Sequence, residues 1–299
     1  MTFRPTQEED LSRLTAFLAD RFGRGWTPEE WRWKYQAIPG EARSLVAVDA
    51  FGEILAHAGA LRLPARLPGG EASIWQLVDF AGTTRRRGLR APLVELGRSL
   101  LADLPREGEA PWIFGFPSAR HFRLGERVFG YRPLVEVEEL GGDITAEPPA
   151  DARIDTSDSC GPWAEAVWEA CGVAGVRRSA AFLNWRYYAR PHRYYRFYRL
   201  VADAAEGLAV FAFVNEEAWA AELWLPPAGR WYPALLAVAA DLRASGFRRW
   251  RFWPPPAGLG ELFAALGLSP TGERRFIGCR GEAGAAAGFY HAMGDWDLV

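Results

Sequence analysis

The chain has 299 residues, enough to bury one large core or two of ordinary size. Apolar residues make up 49% and charged residues 24%, and a net charge of -2 excludes the global basic field of a typical nucleic-acid binder. No uncharged apolar run reaches the roughly 18 residues needed to cross a bilayer, and "MTFRPTQEEDLSRL" lacks the basic-then-apolar build of a signal peptide. The expected location is therefore the cytoplasm, with no membrane and no nucleic-acid partner. Cys160, Cys171 and Cys279 show neither a disulfide framework nor zinc-ligand spacing, and the four histidines are scattered, so no metal is expected.

In chain order, a short strand near Thr2–Arg4 precedes a helix over Glu8–Asp20, with Leu11, Leu14 and Leu18 on one side. Thr27 is a good N-cap for a second short helix, with Pro28 at its first position and Glu30 at its third. Strands follow at Ser44–Asp49, Glu53–Leu63 and Ser73–Phe80, all rich in Val, Ile, Leu and aromatics. A loop, "AGTTRRRG", leads into a helix over Leu89–Leu101 whose Leu89, Leu93, Leu96 and Leu100 form one apolar face. Then come a strand at Trp112–Phe116, a helix near Ser118–Arg127 and a strand at Leu134–Leu140.

The same plan recurs. Trp33, Tyr35 and Pro39 reappear as Trp185, Tyr187 and Pro191 at one common offset. Trp231, Leu235, Val238 and Leu242 repeat the leucine steps of the first half. "FGFP" and "FGYRP" find counterparts in "RFWP" and "LGLSP". Four matches in the same order indicate a duplicated domain. The boundaries fall at residues 1–142 and 162–299, with a Gly-, Pro- and Asp-rich linker over 143–161.

A strand, an irregular loop and a helix opening at Gly88–Leu89 aim the helix's unbonded N–H groups into the loop, which is an anion site before any side chain is counted. Arg85, Arg86 and Arg87 add charge-assisted donors suited to phosphate oxygens, and Gly88 permits close backbone approach. The second copy has "PPAGR" in that place, with two prolines that donate nothing and one arginine, Arg230. A diphosphate is thus expected in the first copy alone; the competing reading is a solvated arginine turn.

Strand order and loop together resemble the GNAT superfamily of acyl-CoA-dependent N-acyltransferases, in the form that carries two GNAT domains in tandem. Arg85–Gly88 fit the first four positions of that family's pyrophosphate loop and Leu89 the fifth. Arg90 takes the place of the usual small residue, with Ala91 one position late. In the later segment "PSARHFRLGERVFGY", Ser118 stands where asparagine is common, Glu126 where a tyrosine acid is common, and Gly130–Tyr131 match the closing pair.

The resemblance implies an α/β fold of two tandem GNAT-like domains, each a mixed, mostly antiparallel sheet flanked by helices. It implies acetyl-CoA as cosubstrate, its pyrophosphate on the backbone of Arg86–Arg90 and its pantetheine amides along the strand edge of Gln76, Val78 and Phe80. The reaction would be acetyl transfer to a primary amine of a small molecule or peptide, by a monomer or homodimer. The alternative is a non-catalytic acyl-CoA or ligand-binding scaffold.

Asp79 and Glu126 are the candidates for proton transfer, with His57 and Glu53 behind them. Strand alternation sets Asp79 and Gln76 on opposite faces. The structural alternative for Asp79 is an ordinary carboxylate paired with Arg85. Trp26, Trp31, Trp33 and Trp75 either line an acceptor pocket or fill the core. Asp295 and Asp297 in "GDWDLV" are expected either in a tail over the other domain's cleft or without a role.

Overall fold

The computed structural model describes residues 1–83, 92–105, 112–144, 152–254, 258–281 and 288–296. The first half runs β1 (Thr2–Pro5), α1 (Leu11–Phe22), α2 (Pro28–Tyr35), β2 (Glu41–Val48), β3 (Ile54–Leu67), β4 (Gly70–Gly82), α3 (Pro92–Asp103), β5 (Ile113–Gly115), α4 (Ala119–Phe129) and β6 (Arg132–Asp143). The second half runs β7 (Arg153–Ser157), α5 (Trp163–Cys171), β8 (Ala174–Val176), α6 (Ala180–Leu183), a π-helical turn over Asn184–Tyr188, β9 (Tyr195–Ala202), β10 (Ala205–Val214), β11 (Glu217–Trp224), α7 (Tyr232–Ala244), β12 (Arg249–Phe252), α8 (Gly260–Ala265), β13 (Ser269–Arg280) and β14 (Phe289–Tyr290). Among the described residues no helix is long and apolar enough to cross a membrane.

The chain forms two compact units, and neither is a simple half of the sequence. Unit 1 comprises Met1–Ala65, Glu71–Val135 and Phe276–Gly284; unit 2 comprises Arg66–Gly70, Glu136–Arg275 and Ala285–Val299. In unit 1 the strands lie in the order β1, β2, β3, β4, β5 and the end of β13. In unit 2 they lie in the order β7, β9, β10, β11, β12 and the end of β6. Along this path each unit therefore has five strands of its own half and a sixth from the other; in unit 2, β8 and β14 pair in parallel off the path. Within the stretch read as a linker, Arg153–Ser157 form β7, paired antiparallel with β9 from Arg153↔Val201 to Ser157↔Phe197.

The ladders repeat in detail. β4 and β5 pair in parallel over Trp75–Leu77 and Ile113–Gly115, and β11 and β12 do so over Glu217–Trp219 and Arg249–Arg251. The sixth strand is antiparallel in both, with Gly278–Arg280 on β5 and Leu140–Asp143 on β12.

Thr27 caps α2 as its sequence foretells, its hydroxyl accepting from the Glu30 amide at 3.2 Å. The leucine stripe of the first half enters the core of unit 1 through Leu96 and Leu100, both fully buried beside Trp75, Ile113 and Phe129. Its counterpart, Trp231, Leu235, Val238 and Leu242, enters the core of unit 2 among Tyr198, Phe211, Trp250 and Phe252. Helix faces with this much apolar surface gain most of their stability from such burial rather than from helix propensity.

Candidate active site

In unit 1, β5 ends at Gly115 while β4 runs on to Gly82, so the backbone edge of β4 continues past its parallel partner. Gln76 lies within the paired stretch, matched with Phe114, and Val78 and Phe80 lie beyond it. Two residues after the last pair, Asp79 adopts a left-handed backbone (φ 54°), which L residues other than Asn and Asp seldom tolerate. That conformation interrupts the pleat. The strict alternation that set Gln76 and Asp79 on opposite faces therefore does not run through this position.

Three side chains converge on Asp79. Lys34 donates from Nζ to Oδ1 at 2.9 Å and to Oδ2 at 2.8 Å, and Tyr35 donates its hydroxyl to Oδ2 at 2.6 Å. The ion pair is buried: the side chains of Lys34 and Asp79 are 1% and 4% exposed. The partner of Asp79 is thus the chain's single lysine, also 4.9 Å from the Trp26 ring; Arg85, the partner weighed from the sequence, lies outside the described residues.

From β3, His57 Nδ1 stands 2.9 Å from the Asp79 carbonyl. A carbonyl can only accept, so Nδ1 carries the proton and Nε2 is left as an acceptor. Ser44 donates to it, its hydroxyl 2.9 Å from Nε2, while Trp31 Nε1 donates to the Ser44 oxygen at 3.2 Å and the Thr6 hydroxyl lies 2.7 Å from that oxygen. Within this relay of Thr6, Trp31, Ser44 and His57 every donor has an acceptor. Burial holds the imidazole below its ordinary range, with the nearby Asp79 charge only partly offsetting it, so the ring is neutral.

Space for the arrangement comes from Gly59 on β3. A Cβ there would collide with the Tyr35 hydroxyl, so a glycine is what lets the phenol reach Asp79.

On the far side of β5, Ser118 caps α4, its Oγ accepting from the His121 amide at 3.4 Å. Glu126 is exposed on that helix. Tyr131 follows the left-handed Gly130 (φ 71°) and is buried, its ring against Gly125 and Gly278. Its hydroxyl lies 3.5 Å from where a Cβ on Gly115 would stand, at the end of β5. Burial drives the phenol upward, so it keeps its proton.

Unit 2 repeats the central contact. Tyr187, the repeat of Tyr35, donates to Glu222 Oε1 at 2.7 Å on β11. Beside it Ala221 is an extra residue in the β10–β11 ladder, where Val210 faces Glu222 and Phe211 faces Ala220. Glu222 is fully buried and also accepts from Trp224 Nε1 at 3.0 Å and the Tyr290 hydroxyl at 3.1 Å. Its cation is Arg178, whose Nε lies 3.0 Å away and whose Nη2 donates to both oxygens of Asp295, at 2.7 and 2.6 Å. Arg186 donates from Nε to the Gly294 carbonyl at 2.8 Å, and a Cβ on Gly294 would strike both the Tyr187 hydroxyl and the Ala221 carbonyl. Segment 292–295 thus covers the irregular part of β11.

The same architecture occurs in solved proteins of low sequence identity. A GCN5-related N-acetyltransferase from Anabaena variabilis is similar over 93% of this chain and 72% of its own, at TM-score 0.69 and 12% identity. Another, from Kribbella flavida, is similar over 95% and 72%, at TM-score 0.64 and 15% identity. A tandem GNAT protein from the clavulanic acid biosynthesis pathway is similar over 94% of this chain and 98% of its own, at TM-score 0.64 and 16% identity. This chain has the tandem GNAT fold. No protein-family model and no curated protein sequence matches it.

In the GNAT frame the residues expected to hold acyl-CoA divide sharply. Arg85, Arg86, Arg87, Gly88, Leu89, Arg90 and Ala91 lie outside the described residues, and the described part of α3 begins at Pro92. Val78 and Phe80 lie on the extended edge of β4. Gln76 lies on the stretch that β5 already pairs. Asp295 departs from expectation: it is held by Arg178 within unit 2 and is no free carboxylate over another cleft, while Asp297 lies outside the described residues. Trp26, Trp31, Trp33 and Trp75 are all buried, as core residues are.

Sequence reasoning missed Lys34 and Tyr35 as partners of Asp79, and Tyr131 as a residue at the end of β5. The available signal was the repeat itself, in which Tyr35, next to the only lysine, recurs as Tyr187.

Proposed function

We propose that the protein is an acyl-CoA-dependent N-acyltransferase whose active site lies in unit 1, and that it moves an acetyl group from acetyl-CoA to a primary amine of a small molecule or peptide. The observation that carries this reading is the extended edge of β4 beyond β5, with Val78 and Phe80 on it and the irregular Asp79 between them. A backbone edge past its partner strand offers N–H and C=O groups to an extended ligand such as the amide-bearing arm of an acyl-CoA. The fold supports the same reading, since its solved neighbours carry N-acetyltransferase names.

Acetyl-CoA supplies the acyl group as a thioester; the amine nitrogen bonds to its carbonyl carbon, the C–S bond breaks, and CoA leaves as the thiol. Only a neutral amine attacks. Asp79 accepts three hydrogen bonds from Lys34 and Tyr35, and both nitrogens of His57 are engaged, so neither is poised as the base. The exposed Glu126 lies on α4, and the ammonium proton passes to water. Tyr131 stands at the end of β5 as a donor toward developing thiolate charge.

Titration with acetyl-CoA tests the binding half. Ligand at one hundred times its dissociation constant stabilises the fold by about 2.7 kcal/mol, read as a rise in melting temperature. Thiol release across a panel of amines tests the chemistry. Without a protein base, kcat/KM for a lysine-like amine rises about tenfold per pH unit below the amine's pKa of about 10.4. Binding without thiol release would leave the non-catalytic scaffold as the answer.

A further inference from the structure

The polar side chains gathered at β4 serve one residue from two directions. Lys34 and Tyr35 arrive from α2 and take the Asp79 carboxylate; His57 arrives from β3 and takes the Asp79 carbonyl. The residue so held has a left-handed backbone, a conformation that persists only when its surroundings over-determine it. Its neighbours on the strand are Val78 and Phe80. The His57 ring N–H donates to the Asp79 carbonyl from the neighbouring strand β3. The ring is held at its other nitrogen by the Ser44 hydroxyl, which Trp31 and Thr6 in turn hold in place.

We infer that Lys34, Tyr35 and His57 are positioning residues: by clamping both the side chain and the carbonyl of Asp79, they set the shape of the β4 edge on which acyl-CoA docks. This rests on the reading of unit 1 as the acyl-CoA site. The clamp acts on ligand affinity through the backbone and takes no proton during the reaction.

Unit 2 contains the control. Tyr187 makes a hydrogen bond of the same kind to Glu222, 2.7 Å against 2.6 Å in unit 1, but segment 292–295 covers the strand there. Tyr35→Phe and Tyr187→Phe each delete one oxygen and are comparable losses to the fold. Only the first should weaken CoA binding, by about tenfold, the effect of losing one hydrogen bond to a charged group.

The experiment compares the full chain with Tyr35→Phe, Tyr187→Phe, His57→Leu and His57→Asn, measuring the CoA dissociation constant by calorimetry and kcat and KM by thiol release. The expected result is a raised dissociation constant and KM in Tyr35→Phe and His57→Leu, with the pH profile of kcat unchanged. His57→Asn, whose amide places an N–H where Nδ1–H stands, should restore affinity to within about threefold of wild type. Equal CoA affinity in wild type and Tyr35→Phe would overturn the clamp while leaving the site reading intact. So would a fall in kcat with loss of one limb of the pH profile at unchanged affinity, which would make Asp79 a base. Wild-type protein that binds no CoA would remove the site reading and the clamp with it. Tyr35→Phe carries the decision if His57→Leu does not fold.

Discussion

Unit 1 and unit 2 place a tyrosine against a carboxylate just past the paired stretch of the equivalent strand, two residues on at Asp79 and three at Glu222, and they neutralise that carboxylate differently. In unit 1 the cation is Lys34, adjacent to Tyr35 in sequence. In unit 2 the equivalent neighbour, Arg186, serves the Gly294 carbonyl instead, and the cation comes from Arg178. A buried carboxylate needs a counter-charge, but the fold does not dictate where it comes from. Arg178 also holds a second carboxylate, Asp295, in the segment that packs against β11. The two units thus bury one structural motif with different partners, and in unit 2 segment 292–295 lies against it as well.

The largest expected effect is in unit 2. Arg178→Met leaves Glu222 and Asp295 buried without their shared cation and should cost about 3–5 kcal/mol in urea denaturation. Lys34→Met removes the cation of a single carboxylate and should cost about 3 kcal/mol. A loss at Lys34 matching or exceeding that at Arg178 would contradict the view that unit 2 carries the heavier electrostatic burden.

Next comes Gly59→Ala. The added methyl meets the Tyr35 hydroxyl, and overpacking of this kind costs about 1–3 kcal/mol. The variant should lose CoA affinity along with stability, whereas Gly294→Ala, which presses on Tyr187 and Ala221, should lose stability alone. Equal loss of affinity in both would erase the distinction between the copies.

The smallest effect is a pH slope to which each unit contributes one histidine. Burial lowers His57 in unit 1 and His291 in unit 2 from their ordinary 6.5. A group that binds its proton more weakly when folded lends stability that is complete above its unfolded pKa. That stability is lost as pH falls below the unfolded value toward the folded one. Urea midpoints should therefore fall as pH drops below about 6.5, and His57→Asn should reduce that slope without abolishing it. A midpoint that is flat between pH 7 and 5 would show that folding lowers neither imidazole.

What was legible in the sequence was what local rules govern. The Thr27 cap, the stripe through Leu96 and Leu100 and its repeat at Leu235 and Leu242 depend on residues a few positions apart, and all lie where spacing puts them. The duplication was legible because insertions had not scrambled its order. Long-range choices were not. The ends of β6 and β13 are ordinary strands by composition, and nothing in either says which neighbour it will pair with. Asp79 illustrates the same limit at one residue. Period-2 reasoning presumes a regular pleat, and a left-handed aspartate ends that presumption without a glycine to announce it.

The sixth strand of unit 1 has a consequence for the order in which the molecule is made. β5 is translated well before Gly278–Arg280, which complete its sheet edge. A ribosome takes on the order of ten seconds to cover that interval, during which the nascent unit holds an unsatisfied edge. A protein cut after Asp143 would be held in that state permanently, and it should aggregate rather than fold as a smaller domain.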